Sequence, residues 1–169
     1  MFAREKFTMD HLWAPWRVTY INSREKKPDA CIFCDKAAQH QDDENLIVYR
    51  GPGCFVLLNL FPYNNGHLMI APYAHVPSIE DLDTAQLSEV MVTAQKALAA
   101  LRGAMHPHGF NMGINQGLVA GAGIADHVHF HIVPRWEGDT NFMPVLADTK
   151  VMPDFLRNTL RQIRDNWPR

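Results

Sequence analysis

The sequence predicts an α+β fold, an antiparallel sheet packed around one long helix with a second helix at the C-terminus. Apolar and polar residues alternate in "DHVHFHIVPRW" (residues 126–136), which is typical of a strand. Apolar residues recur every three or four positions in "DLDTAQLSEVMVTAQKALAALRGAM", which predicts the long helix. Strands and helices do not alternate regularly along the chain, and this favours an antiparallel over a parallel sheet.

The first half of the chain contains most of the predicted strands. Residues 1–30, interrupted by Pro15 and Pro28, are interpreted as an N-terminal arm. "CIFCDKAAQ" (residues 31–39) predicts a tight turn that leads into a short helix. The segments "GPG" and "PYNNG" are strong turn signals between three β-rich runs. These runs are Leu46–Tyr49, Cys54–Asn59 and His67–Ala71.

The second half begins with the long helix, for which Asp83 or Thr84 is a suitable N-cap. His108–Asn115 predicts a strand, and the glycine-rich segment "QGLVAGAG" that follows predicts a loop. The histidine-containing strand comes next. Pro153–Trp167 predicts the C-terminal helix.

Length and composition limit the class of protein. A chain of 169 residues fits a single domain over residues 1–169 and is long enough to bury a core. A formal net charge of −2 does not indicate binding to a nucleic acid polymer or to an anionic membrane. There is no run of roughly twenty apolar residues, no signal peptide pattern, and the cysteines are three, an odd number. We therefore expect a cytoplasmic protein without a disulfide framework.

Three histidines occupy alternate positions of the predicted strand. His127, His129 and His131 would stand on one face, about 7 Å apart, with apolar residues on the other. Three interpretations remain open from the residues alone. The imidazoles are ordinary core or surface side chains, or they share a zinc ion, or the central one is a nucleophile whose neighbours fix its tautomer and bind an anion.

The glycine-rich loop just before this strand favours the third interpretation. Gly117, Gly121 and Gly123 are free to adopt left-handed conformations. Such a loop can direct successive backbone N–H groups at an anion. Beside a row of histidines, this combination points to a phosphate group.

Cys31 and Cys34 have the C-x-x-C spacing of half a zinc site. The alternative is that both are small buried apolar residues, as cysteines often are. A thioredoxin-like redox pair is disfavoured because no β–α–β context surrounds them. Two further ligands are required before the pair can hold zinc.

Several segments together resemble the histidine-triad (HIT) family. "HVHFHIV" matches its motif of three histidines separated and followed by apolar residues, and "NLFPYNNGHLMIAPYAHV" resembles its nucleotide-binding strand pair. "AGAGIADHVHFHIVPRWEGDTNFMPV", "LWAPWR" and "CIFC" resemble the bacterial diadenosine tetraphosphate phosphorylase-like branch. The resemblance covers roughly residues 12–153 and implies a HIT-like sheet.

The resemblance implies a role for each matching residue. His129 is the expected nucleophile, which attacks the α-phosphorus of a nucleotide and becomes covalently nucleotidylated. His131 is expected to contact the phosphate and assist proton transfer. Asn115 matches a residue that faces the α-phosphate, and Asn59 matches one on the ribose side. His67 matches a histidine that either contacts substrate or is buried against the backbone.

The sequence departs from many relatives just before the triad. Those relatives carry a glutamine or serine phosphate donor at or near Gly123. Here, backbone N–H groups from Gly121 to Gly123 are the expected replacement. The departure bears on efficiency and on the choice of acceptor.

The resemblance also completes the zinc site. Some relatives with the cysteine pair close the site with two histidines, which here are His75 and His127. With Cys31 and Cys34, these residues would hold a structural zinc ion, since four protein ligands leave no open position. His127 would then be a zinc ligand as well as a member of the triad.

The implied activity is nucleotidyl transfer from a dinucleoside polyphosphate such as diadenosine tetraphosphate. Phosphorolysis, with inorganic phosphate as co-substrate, is favoured. The alternatives are a dinucleoside polyphosphate hydrolase or nucleoside phosphoramidase with the same residues, a nucleotide sensor with little turnover, and a three-histidine metalloenzyme. The resemblance also implies a homodimer whose sheets join edge to edge, or a homotetramer.

Overall fold

The structure, a computed structural model, describes residues 31–140 and 154–169. These residues form an antiparallel sheet of order β1-β2-β3-β5-β4 with three α-helices. The strands are β1 (Ile47–Arg50), β2 (Cys54–Leu58), β3 (Leu68–Pro72), β4 (Gly109–Ile114) and β5 (Phe130–Arg135). The helices are α1 (Ile32–Ala38), α2 (Thr84–Met105) and α3 (Leu156–Asp165), and a 3-10 turn spans Ile79–Asp81. The predicted α+β class is confirmed.

Helix α2 begins where its sequence predicts. The Asp83 side chain accepts a hydrogen bond from the Gln86 N–H at 2.8 Å, and the Gln86 side chain accepts one from the Asp83 N–H at 3.0 Å. This reciprocal pair is a capping box, which satisfies two N–H groups at the helix start. The helix ends at His106, whose φ of 47° is left-handed.

Strands β2 and β3 are buried throughout because both faces of the sheet are covered. On one face, α2 and α3 pack against alternate strand residues in the main core. This core includes Cys54, Val56, Leu58, Leu68, Ile70, Val90, Ala94, Ala97, Leu101, Ile132, Leu160 and Ile163. On the opposite face, Phe33 of α1 covers a smaller cluster, formed by Ile47, Phe55, Leu57, Met69 and Ala71. The side chains on this second face include the candidate functional residues.

The histidine-containing strand is shorter than predicted. It begins at Phe130, so of the three triad residues only His131 lies within β5. The pairing of β5 with β3 runs from Leu68↔Ile132 to Ile70↔Phe130. Continued, the same register would bring Val128 opposite Pro72, which has no N–H to donate to a ladder. The Val128 N–H instead donates to the Val76 carbonyl at 2.7 Å, so residues before β5 leave the sheet.

Some predictions fall outside the described residues, among them the N-terminal arm of residues 1–30. The single-domain organisation of residues 1–169 and the cytoplasmic location also stay predictions. In the described ranges, none of the helices has the length and apolar character needed to cross a membrane.

Candidate active site

The three triad histidines make three different sets of contacts instead of forming one uniform row. The ring of His127 lies among Cys31, Cys34 and His75. The ring of His129 bonds to the backbone of His127, and the ring of His131 bonds to His67. Each contact fixes which ring nitrogen carries a proton, and therefore what the other nitrogen can do.

His129 has the protonation pattern of a nucleophile. Its Nδ1 lies 2.9 Å from the carbonyl oxygen of His127. A carbonyl can only accept, so Nδ1 carries the proton and Nε2 keeps its lone pair. The side chain is 4 % exposed, and its burial lowers the pKa of the imidazole. His129 is therefore neutral near pH 7 and has an available nucleophilic nitrogen.

His131 has the opposite tautomer. The Tyr63 N–H donates to Nδ1 of His67 at 3.0 Å, so the proton of His67 is on Nε2. That Nε2 lies 2.9 Å from Nδ1 of His131 and donates to it. The proton of His131 is therefore on Nε2. Burial, reinforced by the neighbouring His129, lowers the pKa of His131 to about 4, so the ring is a neutral N–H donor at pH 7.

His67 has an indirect place in the site. Its side chain is 0 % exposed and is enclosed by Tyr63 and His131, whose rings lie 4.7 and 5.1 Å from its own. The burial of the ring favours the interpretation of His67 as a buried histidine, and a direct contact with substrate stays a prediction. The alternative, a buried and hydrogen-bonded histidine, describes what is found.

The two predicted asparagines lie at strand ends on this part of the sheet. Asn59 follows β2, and its side chain accepts from the Phe61 N–H at 3.0 Å while its amide nitrogen lies 3.4 Å from Nδ1 of His67. Asn115 follows β4, which pairs Ile114 with Phe130. One further step in that register would place Asn115 opposite His129. Their contacts with ribose and phosphate stay predictions.

The glycine loop matches its prediction only in part. Gly117 and Gly121 have left-handed φ values of 80° and 89°, as expected, but Gly123 does not have a positive φ. The N–H of Gly121 donates to Leu118 at 3.0 Å and that of Ala122 to Gly117 at 3.2 Å. These two N–H groups close turns within the loop. Contrary to the sequence prediction, Gly121 and Ala122 therefore do not direct their N–H groups at an anion.

The predicted metal ligands come together from three separate segments of the chain. Cys31 at the N-cap position and Cys34 in the first turn both belong to the start of α1, His75 follows β3 and His127 precedes β5. Their ligand atoms all lie within 4.8 Å of one another. Nε2 of His127 donates to the Pro72 carbonyl at 2.8 Å, which leaves its Nδ1 lone pair directed at the other three residues. The four residues form one possible metal-binding cluster.

The spacing within this cluster fits a tetrahedral zinc ion. Zinc bonds of ordinary length place neighbouring sulfur and nitrogen ligands about 3.6 Å apart and two nitrogens about 3.3 Å apart. Nδ1 of His127 lies 3.3 Å from Sγ of Cys31, 3.7 Å from Sγ of Cys34 and 3.2 Å from Nδ1 of His75. Sγ of Cys34 lies 3.4 Å from Nδ1 of His75. The pKa of the Cys34 thiol is raised, first by burial and then by the neighbouring thiol of Cys31. A bound cation would oppose this rise.

This cluster also bears on the three-histidine metal site that the residues left open. Among the described residues, the cluster of side chains close enough together to hold a metal ion contains His127 but neither His129 nor His131. The three imidazoles point to different partners, so they do not converge on one ion. The three-histidine interpretation is wrong for this fold.

Two contacts in the candidate site were missed from the sequence. Tyr63 lies against both His67 and His131, with ring centroids 4.7 and 5.9 Å away. The Pro72 carbonyl orients His127. Tyr63 had a detectable signal, since it lies in the turn "PYNNG" just before the Gly-His pair, whereas a backbone carbonyl has no signature in sequence.

Comparisons with known proteins agree with this geometry. The HIT domain model matches residues 40–138. An AP-4-A phosphorylase of Mycobacterium tuberculosis is 40 % identical over 167 residues, which cover 95 % of this chain and 86 % of that protein. A bis(5'-nucleosyl)-tetraphosphatase [asymmetrical] of Schizosaccharomyces pombe is 30 % identical over 93 residues, 55 % of this chain and 50 % of that protein.

Solved structures show the same fold. A zinc-bound histidine triad family protein from Mycobacterium smegmatis superposes with a TM-score of 0.66 at 25 % identity, covering 81 % of this chain and 92 % of that one. The family match spans more than half of the chain and includes all three triad histidines. The protein is a member of the HIT family.

Proposed function

We propose that this protein is a nucleotidyl-transferring enzyme that cleaves a dinucleoside polyphosphate such as diadenosine tetraphosphate, with inorganic phosphate as acceptor. The observation that carries the proposal is the bond from Nδ1 of His129 to the His127 carbonyl, which leaves Nε2 as a nucleophile. The name of the M. tuberculosis relative, AP-4-A phosphorylase, supports the choice of substrate and of phosphorolysis.

In the first step, Nε2 of His129 attacks the α-phosphorus and an N–P bond forms. The P–O bond to the leaving chain breaks, and its electron pair goes to the leaving oxygen. His129 then carries both phosphorus and the Nδ1 proton, so its ring is cationic, and the His127 carbonyl stabilises that charge. The Nε2–H of His131 donates a hydrogen bond to the leaving oxygen as negative charge builds on it.

In the second step, an oxygen of inorganic phosphate attacks the same phosphorus. The N–P bond breaks, its electron pair returns to Nε2, and His129 is neutral again. For diadenosine tetraphosphate the first step releases ATP and the second releases ADP. Dividing the displacement into two half-reactions makes one nucleophile serve either acceptor, phosphate or water.

We further propose that Cys31, Cys34, His75 and His127 hold a structural zinc ion. The near-tetrahedral spacing of their ligand atoms and the thiol and imidazole donors support zinc. When bound, the ion would link α1 to the segment that precedes β5 and would contribute to folding stability. The zinc-bound M. smegmatis relative supports this assignment.

A homodimer with the two sheets joined along β4 is also proposed. β4 (Gly109–Ile114) is at the edge of the described sheet, and Met112 on it is 45 % exposed. An edge strand presents unpaired backbone groups that a second copy can pair. Light scattering on the purified protein would give its mass in solution, and a monomer at micromolar concentration would contradict the proposal.

The second candidate is hydrolysis with the same residues. Two features favour it: the turn bonds made by the N–H groups of Gly121 and Ala122, which occupy two of the three groups expected to replace a phosphate donor, and the name of the S. pombe relative. Incubation with diadenosine tetraphosphate, with and without phosphate, separates the candidates. ADP formed only with phosphate indicates phosphorolysis, AMP plus ATP in plain buffer indicates hydrolysis, and tight binding without turnover indicates a sensor.

A further inference from the structure

Tyr63 covers the hydrogen-bonded pair formed by His67 and His131. Its ring lies 4.7 Å from the ring of His67, tilted by 33°, and is stacked on His131 at 5.9 Å and 29°. Its backbone N–H donates to Nδ1 of His67 at 3.0 Å. One residue therefore contacts this pair in two independent ways, through its main chain and through its ring.

The loop that carries Tyr63 is held at both ends. The Asn59 N–H donates to the His67 carbonyl at 2.9 Å, and the His67 N–H donates to the Asn64 carbonyl at 3.2 Å. The side-chain amide of Asn64 donates to the Pro134 carbonyl at 3.1 Å and to the Asp139 carboxylate at 2.8 Å. Asn64 is 7 % exposed. The hydrogen bonds tie the loop to the end of β5, the strand that contains His131.

Tyr63 nevertheless remains 47 % exposed, so its ring forms a wall between solvent and the imidazole pair. A hydrogen bond between two rings fixes where the donor points, but the rings can still rock about it. Stacking against a third ring restricts that motion. The loop and the ring together hold His131 in one orientation.

We propose that Tyr63 is a positioning residue for the leaving-group side of the reaction. Its backbone N–H sets the tautomer of His67, which sets that of His131, and its ring keeps Nε2–H of His131 directed at the leaving oxygen. This role rests on the proposed function, in which His131 donates to that oxygen.

The proposal has a kinetic signature. A donor directed at the leaving oxygen gains strength as charge builds there in the transition state, so it acts on kcat more than on KM. It matters more when the leaving oxygen is more basic. Loss of the Tyr63 ring should therefore slow the cleavage of poor leaving groups more than of good ones, whereas general damage to the fold would slow both alike.

The test uses two esters of AMP, with 4-nitrophenol as the good leaving group and phenol as the poor one, alongside diadenosine tetraphosphate. Tyr63→Ala keeps the backbone N–H and removes the ring. We expect it to lower kcat about tenfold for the phenyl ester and less than about threefold for the 4-nitrophenyl ester, with KM changed less than about twofold. Tyr63→Phe keeps the ring and should restore the wild-type dependence on the leaving group.

Thermal melts of each variant control for folding, and Tyr63→Leu replaces Tyr63→Ala if the latter does not fold. The exposed Phe155, at the start of α3, gives a matched control, because Phe155→Ala removes an aromatic ring elsewhere. An equal loss for both esters in Tyr63→Ala, or no loss, would overturn the role of Tyr63 alone. A wild type that turns over none of the three substrates would overturn the proposed function and this role with it.

Discussion

The carbonyl oxygen of His127 accepts a hydrogen bond from Nδ1 of His129 at 2.9 Å, while the ring of the same His127 faces two cysteines and His75. His127 therefore joins the candidate metal cluster to the candidate nucleophile within three residues of chain. Its ring faces the candidate metal cluster, and its main chain contacts the candidate nucleophile. Substitutions at 127 and 129 should separate these two roles.

The first prediction concerns the nucleophile. His129→Ala should abolish turnover of diadenosine tetraphosphate and leave nucleotide binding within about tenfold of the wild type, because the change deletes a bond made only during reaction. Product assays and equilibrium binding of a nucleotide measure the two effects. Substantial activity of the purified variant would disprove the covalent mechanism.

The second prediction concerns metal content. The purified protein should contain about one zinc ion per chain, and Cys31→Ser and Cys34→Ser should each lose most of it, since thiolates are strong zinc ligands. Elemental analysis of protein made without a histidine tag gives the number. Cys54→Ser is the matched control, because Cys54 is buried in the main core and lies outside the cluster. A folded wild type without metal would contradict the site.

The third prediction compares two neighbouring histidines by thermal melting. His127→Ala should lower the melting temperature, since removing a ligand weakens a site whose binding energy contributes to folding. His129→Ala should melt close to the wild type. A strong chelator should lower the melts of the wild type and of His129→Ala alike and affect His127→Ala much less. Equal melts for the two variants, insensitive to chelator, would assign His127 to orienting His129 alone.

The fourth prediction concerns pH and stability. The pKa of His131 is lowered from 6.5 to about 4 in the folded protein. Between pH 6.5 and about 4, the imidazole of His131 binds a proton in the unfolded chain but not in the folded one. The contribution of His131 to stability is therefore present above pH 6.5 and is lost as pH falls from there through about 4. Urea unfolding at several pH values should show a steeper decline for the wild type than for His131→Gln. Parallel declines would argue against the lowered pKa.

The elements themselves could be predicted from local patterns. The capping residues Asp83 and Gln86, the turn "GPG" and the alternation of apolar residues act over a few positions, so they appear directly in the sequence. The strand boundaries agree to within one or two residues except at the start of β5. That exception arose from Pro72 on the partner strand, which local patterns near His127 cannot reveal.

For the candidate site, too, residue identities could be predicted from the sequence, but the contacts between distant residues could not. The identities of His127, His129 and His131, and of the cysteine pair, are visible in the sequence because residue type and spacing carry the chemistry. Which nitrogen of each ring is protonated depends on partners far along the chain, such as Pro72 for His127 and His67 for His131. Only the fold brings these partners together.

By itself, then, the sequence determined the family, the α+β class and the set of candidate reactive side chains, since these depend on local spacing and residue type. The tertiary structure alone decided that His67 is buried behind Tyr63 and that two loop N–H groups close turns. It also decided that four residues from three separate segments approach one point. Burial and hydrogen-bond partners depend on which segments pack together, and packing is a property of the whole fold.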